Sequence, residues 1–428
     1  MGFHGMTMTL DIRAEAFWEL PRVEQELRRV YDICNGCRRC ITLCPSFKDL
    51  FVSLDTDDVD GDAEKLAPGA LKRVVDLCYQ CKLCYNHCPY TPPHRWQVDF
   101  PRLMLRARAA EARRRGVTLQ DRFLGNTDLV GRLGTLTARF ANWTSTLAPY
   151  RVLLEAVVGL HRRRNLPRFA GERFSTWFAR RRPLSFIPQA KAALFTTCTV
   201  EYNDPAVGKA AVAVLERNRV DVTLPAQRCC GMPYLDGGAV EAAQGLIREN
   251  VRSLARAVRE GREIVVPGPT CSYMLKQEYP WLDGSGDARL VASHTRDLFE
   301  YLMRLHAEGK LDTNFSKRPG KVAYHLPCHL KAQNLGTKSA DLLRLIPGSQ
   351  VEVIEQCSGV DGTWGLKREY YELSLKVAEP LLKGIEAARP DRVASDCPLA
   401  ALQIAQGTGA APRHPIQIVA EAYGVTAE

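Results

Sequence analysis

The sequence predicts a multidomain α+β protein: a helical, cysteine-rich front (residues 1–100), a basic helical segment (101–190) and a duplicated α/β half in two lobes (191–310 and 311–428). Three observations carry that expectation. The 15 cysteines fall in two groups, eight from Cys34 to Cys88 and seven from Cys198 to Cys397, with none between. The net charge of +10 is concentrated in 101–190, where 18 arginines and no lysine meet five acids and leave +13, so the rest of the chain carries −3. From Lys191 onward short apolar runs alternate with helical stretches, and the order of the cysteines repeats.

A chain of 428 residues is expected to form two or three domains. Apolar residues at 46% and charged residues at 25% describe a folded soluble chain and exclude a disordered or fibrous one. No basic stretch followed by an apolar one opens the sequence, and no apolar run is long enough to span a bilayer. The cysteines are therefore expected in a reducing, cytoplasmic setting, as metal thiolates and not as disulfides.

The front carries Cys34-x-x-Cys37-x-x-Cys40-x-x-x-Cys44-Pro45 and, later, Cys78-x-x-Cys81-x-x-Cys84-x-x-x-Cys88-Pro89. Three thiolates at that step wrap three corners of a cubane from one loop, and the fourth, turned by the proline, reaches the other cluster. Cys34, Cys37, Cys40 and Cys88 are thus expected on one [4Fe–4S] cluster, and Cys78, Cys81, Cys84 and Cys44 on a second, as in a bacterial ferredoxin. Zinc also takes paired C-x-x-C motifs, but it has no use for the third cysteine at the same step. Between the halves, Asp55, Asp57, Asp58, Asp60, Asp62 and Glu64 read as a solvated loop before they read as a docking face.

In the C-terminal half, AALFTTC, VDVTL and EIVVPG read as strands, with helices over Pro205 to Asn218 and Ala239 to Glu260. KVAYHLPC, VEVIEQC and RVASDC repeat the series. Matching cysteines are 130 (Cys198 to Cys328), 128 (Cys229 to Cys357) and 126 (Cys271 to Cys397) residues apart, which marks an internal duplication. Strand–helix alternation argues for parallel sheets, and every one of these cysteines follows the carboxyl end of a strand, where such sheets place ligands.

CCGMP, HLPCH, QCSGVDGTWGLKREYY and SDCPLA resemble the cysteine-rich CCG domains of heterodisulfide reductase and related iron–sulfur oxidoreductases. With the ferredoxin-like front and the basic middle, the chain after about residue 25 is similar to the iron–sulfur electron-transfer subunits of the anaerobic glycerol-3-phosphate dehydrogenase family. The resemblance implies, per lobe, a lone Cys, a Cys-Cys pair and a C-x-x-C as ligands. Lobe one keeps Cys198, Cys229, Cys230 and Cys271, enough for one cluster. Lobe two has Ser358 and Ala400 where thiols belong, leaving Cys328, Cys357 and Cys397. Three readings stay open for it: a cluster with an open iron, one completed by His325 or His329, or an empty lobe with structural histidines.

The basic segment shows amphipathic spacing. Val152, Leu153, Ala156, Val157 and Leu160 recur helically ahead of Arg162, Arg163 and Arg164, and Phe174, Trp177 and Phe178 do so beside Arg180, Arg181 and Arg182. Peripheral contact with an anionic membrane is the first expectation, a partner-docking face the second and a solvated face the third. Nucleic acid is not expected, since no recognition motif accompanies the charge.

Taken with the resemblance, these features imply an electron-transfer subunit at the cytoplasmic face of the inner membrane. It would receive electrons from a flavoprotein dehydrogenase acting on a polyol phosphate or 2-hydroxy acid and pass them towards quinone. No G-x-G-x-x-G fingerprint follows a strand, so neither flavin nor nicotinamide is expected here, and no catalytic residue is assigned. The alternative is a heterodisulfide-reductase-like enzyme whose CCG site is itself catalytic. A soluble cluster protein serving peroxide detoxification is the third reading.

Overall fold

The computed structural model describes residues 10–425; the first nine residues, part of the stretch read for an export signal, lie outside them. Two compact units form: the chain up to Arg122 with Pro233–Glu241, and Phe123–Met232 with the chain from Ala242 onward.

The first unit is helical. Helix Leu20–Cys37 ends where Arg38 turns left-handed (φ 51°). Helices Pro45–Leu54 and Pro68–Leu77 each start with a proline in the first turn, where its missing N–H costs nothing. Cys44 immediately precedes the former and Cys78 immediately follows the latter, so both cysteine loops are pinned at helix ends. Val30, Tyr31, Phe47, Leu50, Val74, Leu103 and Met104 fill the core, with the Phe47 and Phe100 rings stacked at 4.4 Å.

Helix Phe100–Arg115, capped by the Asp99 carboxylate accepting from Arg102 N (3.0 Å), starts at residue 100 and packs into this core. Arg106 is buried there and donates to the carbonyls of Phe17 (2.9 Å) and Ala16 (2.6 Å). The acidic insert packs Val59, Ala63 and Leu66 inward and leaves Asp55, Asp57 and Asp58 exposed.

The second unit holds two parallel sheets. Strands β1 (Ala190–Leu194), β2 (Val220–Thr223), β3 (Glu263–Val266) and β4 (Thr295–Asp297) lie in the order β2-β1-β3-β4. Strands β5 (Lys321–His325), β6 (Gln350–Ile354) and β7 (Arg392–Ser395) lie in the order β6-β5-β7. Ala190 pairs with Val220 and Ala192 with Glu263, as Lys321 pairs with Gln350 and Val322 with Arg392. In both sheets the first strand is central and the chain leaves it to either side, which opens a crevice at its carboxyl end. The duplication extends to β4: Arg413 makes a parallel bridge to Ala394 at the matching place in lobe two.

The lobes share one apolar core. Helix Pro205–Arg217 packs on Pro415–Tyr423, and Leu298–Ala307 on Lys338–Arg344, so Val214 and Leu302 of one lobe join Leu343 and Ile418 of the other. Among the described residues no helix is long and apolar enough to cross a membrane.

Candidate functional site

The eight N-terminal thiols gather from two loops, and their mutual influence sorts them. Burial, then Cys40, Cys88 and Cys37, push the Cys34 thiol up. Burial, then Cys88 and Cys37, push Cys40 up to about 11. For Cys84 burial acts first, followed by Cys81, Cys78 and Cys44, with Cys40 last. Cys88 therefore keeps company with the first loop and Cys44 with the second. Several buried thiols that resist ionising beside one another are the complement of a cationic iron core, which would hold them as thiolates.

The loops are shaped for this. Gln80 and Lys82 take left-handed φ of 59° and 64°, and Gln80 Nε2 donates towards Cys78 Sγ (3.3 Å) while Tyr90 N donates to Cys88 Sγ (3.4 Å). Arg108 anchors the second loop by donating to the carbonyls of Val75 (2.7 Å) and Cys78, and also to that of Asp236 (3.2 Å).

In lobe one, Cys198 starts a helix after β1, Cys229 and Cys230 sit in the loop after β2, and Cys271 opens the helix after β3. The four thiols form a chain. Cys271 Sγ lies 3.4 Å from Cys230 Sγ, and Cys229 accepts from both Cys198 and Cys230, which holds it well below the usual thiol range. Gly231 N points at Cys229 Sγ (3.5 Å) and Thr127 Oγ1 lies 3.2 Å from Cys198 Sγ. All four ligands expected here are brought together.

Two residues that sequence reasoning missed hold this loop. Asp128 accepts from Cys229 N (3.2 Å), Arg228 Nε (2.9 Å) and Tyr202 Oη (3.2 Å). Asn250, fully buried, accepts from Arg228 N (2.8 Å) and donates to the Cys229 carbonyl (3.1 Å). Asp128 reads in sequence as an ordinary acid in a helix's first turn, and Asn250 interrupts a helical pattern without any local signal. A cleft of about 300 Å³ opens beside Cys198 and Cys229, lined by Arg132, Arg173, Gln227 and Glu201 among others.

In lobe two, Cys328 opens a helix after β5, Cys357 follows β6 with its Sγ accepting from Gly359 N (3.3 Å), and Cys397 caps the helix after β7. Ala400 is buried where a thiol was expected. Instead the Asp361 carboxylate lies 3.5 Å from Cys328 Sγ, a neighbour the sequence did not suggest.

His325 does not complete this lobe. Its Nε2 donates to the Gln356 carbonyl (3.2 Å) and its Nδ1 accepts from Ser395 Oγ (2.9 Å), a tautomer assigned from those partners. With both nitrogens engaged in the core, its role is structural, and of the two histidines only His329 stands near Cys328 and Asp361.

Burial pushes the His325 pKa down to about 4. From about pH 6.5 down to about pH 4 the unfolded chain binds a proton that the folded chain refuses, so stability is intact above this window and falls as pH drops through it. The loss approaches about 3 kcal/mol for this residue. Urea midpoints at about pH 7 and about pH 5 check it: His325→Asn should lower the midpoint at neutral pH yet weaken its acid dependence. An undiminished acid dependence would assign the effect elsewhere, for instance to buried His414, pushed down to about 3.

The basic segment divides between the two units at Arg122. Several of its arginines bind the protein itself. Buried Arg151 donates to the carbonyls of Arg162 (3.0 Å) and His161 (3.1 Å), and buried Arg164 to Ser374 Oγ (2.8 Å). Phe174 is wholly buried in the lobe core with Trp177 and Phe178 packed beside it, so that aromatic cluster is core and not an interfacial face. A different surface is apolar. Phe123, Leu129, Leu133, Leu136, Phe140 and Trp143 are exposed, as are Tyr150, Val152, Leu153 and Val157. On helix Thr127–Leu136 the division is sharp. Gly131 and Gly134 lie so close to Tyr202 and Phe169 that a Cβ would stand 2.3 Å from each ring, which turns Leu129, Leu133 and Leu136 outward.

Residues 27–114 match the Fer4-like domain of citrate utilization protein B, and residues 192–276 and 322–405 each match the cysteine-rich domain model. A Fer4-like domain followed by a duplicated cysteine-rich domain, with the thiols gathered as above, defines an iron–sulfur protein of the oxidoreductase class. One subunit of the anaerobic glycerol-3-phosphate dehydrogenase of Escherichia coli (strain K12) is 32% identical over 308 residues, 71% of this chain and 77% of the relative. The chain belongs to the family of that dehydrogenase subunit. Lactate utilization protein A of Geobacillus thermodenitrificans (strain NG80-2) is 29% identical over 219 residues, 48% of this chain and 87% of the relative. One subunit of the fumarate reductase (CoM/CoB) of Methanothermobacter marburgensis is 29% identical over 223 residues, 51% of this chain and 42% of the relative.

Proposed function

We propose that the chain is the iron–sulfur electron-transfer subunit of a flavin-dependent dehydrogenase for glycerol 3-phosphate or a 2-hydroxy acid, passing electrons towards quinone. The observation that carries this reading is the crossed grouping of the eight N-terminal thiols, followed by a four-thiol group in lobe one. Cys34, Cys37, Cys40 and Cys88 would hold one [4Fe–4S] cluster, Cys78, Cys81, Cys84 and Cys44 a second, and Cys198, Cys229, Cys230 and Cys271 a third. Bound clusters supply one-electron carriers. The chain's own contribution is to bury the thiols and to aim Tyr90 N and Gly231 N at sulfur, groups that tune potential. The names of the relatives, a dehydrogenase subunit among them, support a flavoprotein partner as the electron source.

The cleft beside Cys198 and Cys229 offers the acceptor a place, and its arginines suit the charge that a quinone headgroup gains on reduction. The exposed apolar side chains from Phe123 to Val157, with Arg132 and Arg139 exposed among them, suit peripheral contact with an anionic bilayer on the cytoplasmic face of the inner membrane.

Co-sedimentation with vesicles of anionic phospholipid tests the membrane arm. The double variant Leu133→Glu, Phe140→Glu is expected to bind at least about 10-fold more weakly, while electron transfer from the flavoprotein to a soluble dye is kept. Equal binding of wild type and variant would reject contact through this surface. Oxidation of a reduced dye by a disulfide on the chain alone, without the flavoprotein, would favour the heterodisulfide-reductase-like alternative.

A further inference from the structure

Lobe two combines a thiol, an imidazole and a carboxylate at one place. The ligand atoms of Cys328, His329 and Asp361 all lie within 4.8 Å of one another, and Cys328 Sγ is 3.5 Å from Asp361 Oδ2. We infer that these three residues bind a single divalent cation, zinc by its donor set, in a lobe that has fewer thiols than lobe one. The inference does not rest on the electron-transfer reading.

Spacing decides between one ion and a cluster. Zinc bonds of about 2.0–2.3 Å set tetrahedral ligands roughly 3.3–3.8 Å apart, whereas cubane ligands sit on separate irons and stand farther apart. Cys328 and Asp361, at 3.5 Å, have the tighter spacing, and His329 lies within 4.8 Å of both. Mixed sulfur, nitrogen and oxygen donors suit zinc, while thiolate-only sets suit iron–sulfur clusters.

The surroundings hold the donors in place. Thr270 Oγ1 lies 2.9 Å from His329 Nδ1, and Tyr273 stacks on the ring at 5.3 Å, the kind of outer support that orients a metal-binding histidine. Gln333 Nε2 ties the same helix to Pro269 O (3.2 Å) and Ser272 Oγ (3.0 Å) across the lobe boundary.

Asp361 reaches Cys328 because its loop is forced to fold back. Gly359 takes a φ of 68°, and a Cβ there would stand 2.3 Å from the Ser374 carbonyl, so only glycine lets the loop lie against helix Tyr371–Ala388. Lobe one places Cys230 in the matching loop; lobe two has Ser358 there and brings a carboxylate three residues later.

Metal content of the full chain tests this. After anaerobic purification, equilibration with zinc and dialysis, zinc and iron are counted per chain by mass spectrometry. About one tightly held zinc is expected, lost in Asp361→Ala and in His329→Ala with iron unchanged. Asp361→Cys, which keeps a ligand, should regain it, a rescue that a purely structural carboxylate would not show. Cobalt in place of zinc should give the visible bands of a tetrahedral thiolate site, absent in Asp361→Ala. No retained zinc in the wild type would overturn the inference and leave a thiol–carboxylate hydrogen bond. Loss of iron in place of zinc from Asp361→Ala would overturn it in favour of a carboxylate-ligated cluster.

Discussion

Cys44→Ala is expected to remove about four iron atoms, and the cluster lost is the one held by Cys78, Cys81 and Cys84, more than 30 positions away in sequence. The reason is the turn at Pro45. Cys44 is extended (φ −162°) before a helix that starts at the proline, which carries its thiol out of the first loop and into the group around Cys84. Cys88, closing the second motif, is likewise felt by Cys34 and Cys40. Paired variants make the crossing measurable. Cys44→Ala with Cys81→Ala strikes one cluster twice and should lose no more iron than either alone, about four atoms. Cys44→Ala with Cys37→Ala strikes both and should lose about eight. The opposite pattern, additive loss in the first pair and none in the second, would mean that each motif holds its own cluster.

Asp128→Ala should unfasten lobe one. The carboxylate accepts from Cys229 N, Tyr202 Oη and Arg228 Nε, and removing it orphans two buried donors. Arg228 keeps 36% of its side chain in solvent and a second partner in Glu249 (3.2 Å), so its share of the loss is small. The unsatisfied amide and hydroxyl together cost about 2–4 kcal/mol. Urea unfolding reads that cost, and iron analysis reads the loosened loop: content should fall by about four atoms relative to a wild type that fills three clusters. Asp128→Asn, which still accepts hydrogen bonds, should retain most of both. Unchanged iron and an unchanged midpoint in Asp128→Ala would show that the Cys229 loop needs no such support.

Much of this arrangement was legible because it depends on spacing. Six of the strands stand where apolar runs precede a cysteine; β1, β3, β5 and β7 are buried over most of their length and have little choice of composition, while β2 and β6 alternate. Strand β4 escaped because Thr295–Asp297 is three residues of polar sequence without an apolar run, paired to β3. Asp128, Asn250 and Asp361 escaped for a related reason: each acts across 21 or more residues of sequence, and Asp361, though inside QCSGVDGTWGLKREYY, is not one of its thiols. The arginines of the middle segment misled in the other direction. Their number reads as a surface potential, yet Arg106, Arg151 and Arg164 tie their guanidinium groups to buried partners, which only the fold reveals.

The shared core of the lobes has a consequence for how a duplicated chain can diverge. A copy that stands alone can be discarded once its chemistry is lost. Here Leu342, Leu343, Ile416 and Ile418 of the second lobe complete the interior that Val214, Leu215 and Leu302 begin in the first. The second repeat, with Ser358 and Ala400 at two positions where the resemblance implies thiols, still serves as a wall. Its cysteine loops are free to drift or to acquire new donors, while its helices remain answerable to a neighbour whose apolar seam would otherwise face water.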